Sequence, residues 1–404
     1  MLNDILNTFS EIRPDKNVIS QDTQYIGIDN GSTGTRSFIL LEQPAPEKTV
    51  ETIAYEQLEL DHRYSEVELE DEVDLLPVSA RDVIADKLEL IIENYNADGY
   101  IDYAHILRGK MATSLGKTSP RLISSISKVY QRQTYINIIS SIATTLMAKV
   151  ALTATTFSSA IDVDLSVTLP PEDLIIENTE ATFKKRLIGQ YSVQFPKLNY
   201  EVRFNIAEEN IHISSEPYAV GKALPRQDIA FEKEVICDIG GRSTGCILVT
   251  NGRVNRKFQT TSTLCGQSLI KTLTRLINRS LNLPLSERDI DPEIFSTGIL
   301  YYNATSYDVV DLINKAKTIF VHNIMQMYLG FLDESNVTVA GVNKVTLSGR
   351  VFSEIERNGE IVSPSIVYRL RREIAELSPN TKVELFKMEY PILIGLMRER
   401  LHNI

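Results

Sequence analysis

Two stretches of this chain repeat one another about 200 residues apart, YIGIDNGSTGTRSFIL at 25–40 and EVICDIGGRSTGCILV at 234–249. Each reads as a strand ending in Asp, a tight Gly/Ser/Thr turn and a second strand. One such turn is ordinary hairpin chemistry, because Gly reaches positive φ and Ser or Thr bond their own backbone. Two copies, each led by a carboxylate, ask for more. Successive N–H groups in such turns form anion-binding concavities and the hydroxyls add donors, so two turns facing one another suit a polyphosphate. Asp29 and Asp238, at the strand ends, suit a hydrated Mg²⁺ bridging phosphate oxygens.

At 404 residues the chain exceeds what one hydrophobic core organises, and 43% apolar with 24% charged residues is ordinary globular composition. Two domains are expected. A net charge of −11 argues against a surface that binds DNA or RNA phosphates directly, since that affinity comes from clustered Lys and Arg. Nucleic acid, where it matters, would be carried by an adaptor. Cys237, Cys246 and Cys265 have no CxxC spacing and the five His are scattered, so neither a disulfide framework nor a zinc site is supported. A reducing cytoplasm is the simplest setting.

Residues 1–24 lack the basic start and apolar block of a signal peptide. Leu2, Ile5, Leu6 and Phe9 mark one face of a short helix, but Asp4 and Glu11 outnumber Arg13, which favours a docked or protein-contacting arm over a membrane anchor. The most apolar long stretch, Tyr135 to Phe157, is interrupted by Ser140, Ser141, Thr144, Thr145 and Lys149, too polar to span a membrane. It reads as a buried core helix. The closing segment 390–404 sets Ile392, Leu393, Leu396, Met397 and Leu401 at helical spacing, which fits core packing better than a membrane face.

Between these landmarks the first strand–turn–strand leads into a charged, variable region, 42–110, whose acidic run at 66–74 reads as a solvated surface. A helical stretch over 119–156 follows, then a buried strand in DVDLSVTLPPED (162–173) closed by Pro170 and Pro171. Further helices are expected near 177–188, 266–280, 307–332 and 391–402, with strands at YSVQF, NYEVRFNIA and NKVTLSGRVFSEI. Strands alternating with helices around a duplicated strand–turn element point to two related α/β halves with a cleft between them.

IDNGSTGTR (28–36), SSEP (214–217), CDIGGRSTG (237–245) and TLSGRVF (346–352) resemble, in that order, the first phosphate loop, the linking catalytic strand end, the second phosphate loop and the adenosine turn of the actin superfamily. Each motif alone is a weak pattern, whereas the ordered set is specific. VTLPPEDL, FKKRLIGQYSVQF and ISSEPYAVG look most like the ParM-type bacterial actins, which segregate low-copy plasmids. The resemblance implies an α/β, actin-like two-domain fold with duplicated mixed-sheet ATPase halves around a nucleotide cleft. Its expected division is an N-terminal extension at 1–24, domain I at 25–215, domain II at 216–380, and a C-terminal helix at 381–404 returning to domain I.

Site roles carry over where residues match. Asp29 and Asp238 stand at the Mg²⁺-associated carboxylates, holding the metal through water. Gly31, Ser32, Thr33, Gly34 and Thr35 in the first loop, and Gly240, Gly241, Arg242, Ser243 and Thr244 in the second, would wrap the phosphates. Arg36 replaces a phosphate-touching Lys of the relatives and brings a planar fork. Glu216 lies where a carboxylate orients the attacking water, and with Asp238 makes the catalytic pair; the alternative for Glu216 is a surface Glu in a loop. Ser348, Gly349 and Arg350 form the adenosine turn. Two departures stand out: Gly245 occupies a position where several relatives keep a further Asp, and Arg350 one where Gly is usual. Arg350 either covers the base or is solvated.

The function implied is a cytoplasmic ATPase that polymerises with ATP and Mg²⁺ bound, GTP being the alternative nucleotide. Filament growth would move plasmid DNA held by an adaptor protein at a centromere-like site, with no membrane and no strong direct DNA contact. Two other classes remain: a small-molecule kinase of the same superfamily, and a membrane-linked cell-division scaffold.

Overall fold

The computed structural model describes residues 18–19, 23–30, 34–40, 55–61, 64–66, 89–95, 100–108, 126–153, 156–157, 159–223, 233–241, 243–291, 293–349, 354–385 and 391–401. The chain divides into two compact units, one of residues 1–169, 173–215 and 392–404, the other of 170–172 and 216–391.

The strands of the first unit are β1 (Gln24–Asn30), β2 (Gly34–Leu40), β3 (Tyr55–Asp61), β4 (Glu89–Asn94), β5 (Tyr103–Arg108), β6 (Ile161–Leu169), β7 (Gly189–Phe195), β8 (Tyr200–Ile206) and β9 (Ile211–Ser215). With a short Tyr64–Glu66 strand they make a ten-stranded sheet. One end runs β3-β2-β1-β6-β9, with the hairpin strands antiparallel and both β1 and β9 parallel to β6. β8, β7, β4 and β5 continue it on the far side of β6. β6 is buried along its length except at Asp162, as a parallel strand flanked on both edges must be. Pro170 then stops it and Pro171 opens a short helix.

Among the described residues, α1 (Arg132–Thr153) and α2 (Thr179–Leu187) pack on this sheet, as does the last helix described below. Sequence places the start of α1 near 119. The structure begins it at Arg132, after a 3₁₀ turn over Lys128–Tyr130 in which the Ser127 side chain accepts from the Val129 N–H, and residues 119–125 lie outside the described set. Three of the hydroxyls that break the apolar run, those of Ser140, Thr144 and Thr145, have internal partners, whereas the buried Ser141 hydroxyl has none among the described residues. Thr144 Oγ1 donates to the Ser140 carbonyl at 2.7 Å, and Thr145 Oγ1 meets Ser37 Oγ of β2 at 2.6 Å. Lys149 is buried with its ammonium donating to Gln24 Oε1 at 2.5 Å and the Leu40 carbonyl at 2.9 Å. One buried helix is thereby tied to both strands of the first hairpin. Among the described residues no helix is long and apolar enough to cross a membrane.

The second unit holds β10 (Lys233–Ile239), β11 (Thr244–Thr250), β12 (Arg253–Ser262), β13 (Lys344–Gly349) and β14 (Lys382–Leu385), in the order β12-β11-β10-β13-β14. β10, β11 and β12 are antiparallel; β13 is parallel to β10 and to β14. Strand for strand this reproduces β3-β2-β1-β6-β9. The repeat seen in two short stretches of sequence is thus a repeat of a five-strand arrangement, each with its Gly/Ser/Thr turn between the first two strands.

The helices here are α3 (Glu216–Ala223), α4 (Gly266–Leu281), α5 (Val310–Glu334) and α6 (Ile366–Leu377). Leu269, Leu273 and Ile277 of α4 and Ile313, Phe320 and Ile324 of α5 share one core with Val235, Cys237, Val345 and Leu347 of the sheet. Each such side chain removed from water contributes on the order of 2 kcal/mol. The helix expected from 307 begins at Val310, because residues 299–308 form a small hairpin whose turn residues Asn303 and Ala304 have φ of 48° and 60°. The last helix, α7 (Pro391–Leu401), buries Leu393, Leu396 and Met397 and pairs Arg400 with Asp164 of β6. The apolar stripe of the closing segment is a core face.

Candidate functional site

The second turn is fixed from three sides. Register sets Asp238 opposite Gly245 on β11 and beside Ser348 on β13, and sets Ile239 beside Gly349. The turn closes by the Gly240 N–H donating to the Ser243 carbonyl at 2.8 Å. A β-carbon on Gly240 would stand 2.9 Å from that oxygen, so only Gly fits. The first amides of α4 donate into the turn, Gly266 N–H to the Gly240 carbonyl at 3.0 Å and Gln267 N–H to the Gly241 carbonyl at 2.9 Å. Thr244 is fully buried and its hydroxyl donates to the Leu264 carbonyl. Two carbonyls that would repel a phosphate are thereby neutralised by a helix N-terminus.

At the end of β13, Gly349 has φ of +128°, and a β-carbon there would lie 2.1 Å from the Ile239 carbonyl oxygen. Sequence gives this Gly the task of admitting a nucleoside; the structure shows a prior requirement, close approach of β13 to the β10 backbone. Ser348 is 1% exposed and its hydroxyl has no hydrogen-bond partner among the described residues. A buried hydroxyl beside a half-buried carboxylate is a place where a ligand or its water completes the bonding. Glu216 opens α3, and Pro217 packs against Gly245, which brings Glu216 to the flank of the Asp238 register pair. Glu216, Asp238, Gly240, Gly241, Ser243, Thr244, Ser348 and Gly349 therefore gather at one end of this unit's sheet; Arg242 and Arg350 lie outside the described residues.

In the first unit, Asp29 is 4% exposed and Arg36, its cross-strand partner, sets Nη1 at 3.0 Å from Oδ2. Thr35 Oγ1 donates to Asn30 Oδ1 at 3.2 Å, and Gly34 begins β2. Gly31, Ser32 and Thr33 lie outside the described residues. Lys128 donates from Nζ to the Asn30 carbonyl at 2.9 Å and from its backbone N–H to Asp173 at 3.2 Å. No group of three or more His, Cys, Asp or Glu side chains able to hold a metal occurs among the described residues. The donor set fits a largely hydrated Mg²⁺ touched by one carboxylate, as at Asp238, better than a metal caged by protein.

No protein-family profile matches the chain, and no curated protein matches it by sequence. Solved structures do. A 15-stranded ParM filament from Clostridium botulinum aligns at TM-score 0.63 and 13% identity, over 95% of this chain and 100% of that one. An archaeal actin homologue aligns at 0.61 and 13%, over 94% and 99%. Bacillus thuringiensis ParM with ADP aligns at 0.56 and 14%, over 95% and 99%. The chain has an actin-like fold, similar to that of the ParM structures and of the archaeal actin homologue.

Within this actin-like fold, the strand ends at Asp29 and Asp238 and the second turn stand where the sequence places them, while two contacts beside them have no sequence signal. Lys128 reaches the end of the first hairpin from 98 residues away, and nothing in its own surroundings marks it. Pro217 was visible, but its packing on Gly245 follows from tertiary structure alone.

Proposed function

We propose that the chain is a nucleotide-dependent ATPase that assembles into filaments, with ATP and Mg²⁺ as its ligands. The observation that carries this reading is the pairing of the two five-strand arrangements, each with an Asp at the strand end leading into a Gly/Ser/Thr turn. Asp238 would hold hydrated Mg²⁺ through water; the amides of both turns, with Ser243, would bind phosphate; Ser348 and Gly349 would lie along the nucleoside. Glu216 would orient the attacking water in line with the γ-phosphate, accepting its proton. The fold likeness to ParM structures, one solved as a filament and one with ADP, supports the polymer and the nucleotide. GTP is the competing nucleotide.

The same likeness underlies the finer proposal: in the cytoplasm, filaments of this chain move plasmid DNA through an adaptor protein bound to a centromere-like site. The net charge of −11 supports an adaptor over direct DNA contact. The deciding experiment is light scattering against protein concentration with Mg²⁺ and ATP, then with GTP, while phosphate release is followed on the same samples. A sharp critical concentration and phosphate release that rises with polymer are expected. Turnover independent of protein concentration, stimulated instead by a small acceptor molecule, would replace this reading with a kinase.

A further inference from the structure

Two of the three cysteines, Cys237 on β10 and Cys246 on β11, are directly opposed across an antiparallel pair. Their sulfurs are 2.8 Å apart, inside ordinary contact distance for two sulfurs, and the residues are 1% and 0% exposed. The Gly240–Ser243 bond fixes which register pairs exchange hydrogen bonds. Since these alternate along an antiparallel ladder, Asp238/Gly245 is a bonded pair and Cys237/Cys246 is not. Non-bonded pairs bring their Cα atoms to about 4.5 Å, at the near edge of the roughly 4.4–6.8 Å that a disulfide spans. The two side chains therefore need no backbone movement to join. Cys237 directly precedes Asp238, and Cys246 directly follows Gly245, so a bond between them would clamp the two strands immediately below the turn.

We propose that Cys237 and Cys246 are a redox pair, closed by peroxide into a reversible disulfide beneath the second Gly/Ser/Thr turn. Hydrogen peroxide oxidises one thiol to the sulfenic acid, releasing one water; the second sulfur attacks it, forming the S–S bond and expelling a second water. Two thiols supply two electrons and two hydrogens, and the peroxide O–O bond is broken. Peroxide is the oxidant because it is barely larger than water and the burial of both sulfurs excludes bulky disulfide reagents; the Cys237 thiol and burial push the Cys246 thiol up, so closure is slow. Cys265, buried at the start of α4, belongs to neither strand and is the internal control. The proposal concerns sulfur chemistry alone and stands or falls independently of what the turn binds.

The test treats the native full-length chain with hydrogen peroxide, quenches it, and counts thiols by alkylation in denaturant. The expected result is a mass lower by two hydrogens, one remaining thiol at Cys265, a crosslinked peptide joining Cys237 to Cys246, and recovery of all three thiols on reduction. Cys265→Ser should form the same crosslink and leave no thiol. Cys246→Ala should form no crosslink under the same treatment, Cys237 then keeping its thiol or gaining oxygen because no second sulfur resolves its sulfenic acid. Three unreacted thiols in the wild type, oxygen added to Cys237 or Cys246 without a crosslink, or a crosslink through Cys265 would each overturn the assignment. If Cys246→Ala fails to fold, the wild type and Cys265→Ser decide the matter.

Discussion

Pro217 packs against the bare Cα of Gly245: a β-carbon there would stand 3.2 Å from the proline Cγ. This contact explains why a residue facing Asp238 has no side chain, and it couples the start of α3 to the second turn. Gly245→Asp, which would introduce a carboxylate where several relatives have one, should therefore displace Pro217 and not improve catalysis. Overpacking of this kind costs about 1–3 kcal/mol. The expected outcome is a lower denaturation midpoint together with slower phosphate release. A variant as stable as the wild type with faster release would show that the contact is slack.

Asp29 and Arg36 form a largely buried cross-strand pair. Removing either partner leaves the other desolvated, so Asp29→Asn and Arg36→Gln should each destabilise the chain, and the double variant by less than the sum. A coupling of about 1–2 kcal/mol from urea denaturation is expected. Additive effects would mean that Arg36 has other work. Binding of a fluorescent nucleotide, measured on the same four proteins, separates this structural role from the proposed metal role: Asp29→Asn should weaken Mg²⁺-dependent binding more than Arg36→Gln does.

The end of β13 separates two kinds of residue. Gly349→Ala sets a β-carbon against the Ile239 carbonyl in a backbone conformation that L residues rarely adopt, and should cost several kcal/mol or prevent soluble expression. Ser348→Ala removes a buried hydroxyl that lacks a partner among the described residues, and the free protein should be as stable or up to about 1 kcal/mol more so. Nucleotide affinity of Ser348→Ala should nevertheless fall. Unchanged affinity would take Ser348 off the site.

What the sequence made legible was local. Gly/Ser/Thr turns between alternating strands announce both hairpins, and the asparagines at positive φ, such as Asn251, Asn282 and Asn358, are readable turn signals for the same steric reason. The turn at Asn303 was not read, because Ala304 follows it where Gly would be expected, and the helix was placed too early. The start of α1 was lost because Lys128–Tyr130 is capped as a separate 3₁₀ turn by Ser127, a one-residue detail inside a polar stretch. The Arg36 fork on Asp29 and the hold of α4 on the second turn are long-range arrangements with no one-dimensional pattern.

The C-terminal helix carries a pH dependence. Burial alone pushes the Asp164 carboxyl up, but the His212 ring, 3.3 Å from Oδ1, and the Arg400 guanidinium outweigh it and hold Asp164 below the ordinary carboxylate value. A carboxyl depressed in the folded state contributes stability above its unfolded pKa of about 3.9, and that contribution is lost as pH falls through the lower folded value. Arg400→Leu leaves the buried Asp164 carboxylate with the His212 ring beside it but without its guanidinium and should cost about 1–3 kcal/mol at pH 7. The gap between wild type and variant in urea denaturation should narrow below pH 4. A gap independent of pH would assign the loss to packing of α7 instead.

The last prediction joins chemistry to assembly at Glu216. Glu216 opens α3, whose Pro217 packs on Gly245, the cross-strand partner of Asp238. A group that positions water acts on the transition state and adds little to ground-state binding, so Glu216→Ala should lose about 10²-fold or more in phosphate release while nucleotide affinity stays within about twofold. If intact nucleotide favours subunit contacts and its hydrolysis loosens them, the variant's filaments should persist where wild-type filaments shorten as phosphate appears. Pelleting and phosphate release followed on one sample measure both quantities. Wild-type turnover in Glu216→Ala would remove Glu216 from catalysis and leave it a helix-opening surface carboxylate. Lost turnover with wild-type disassembly would keep Glu216 catalytic and break the link between hydrolysis and filament lifetime, leaving nucleotide exchange to set the length of the polymer.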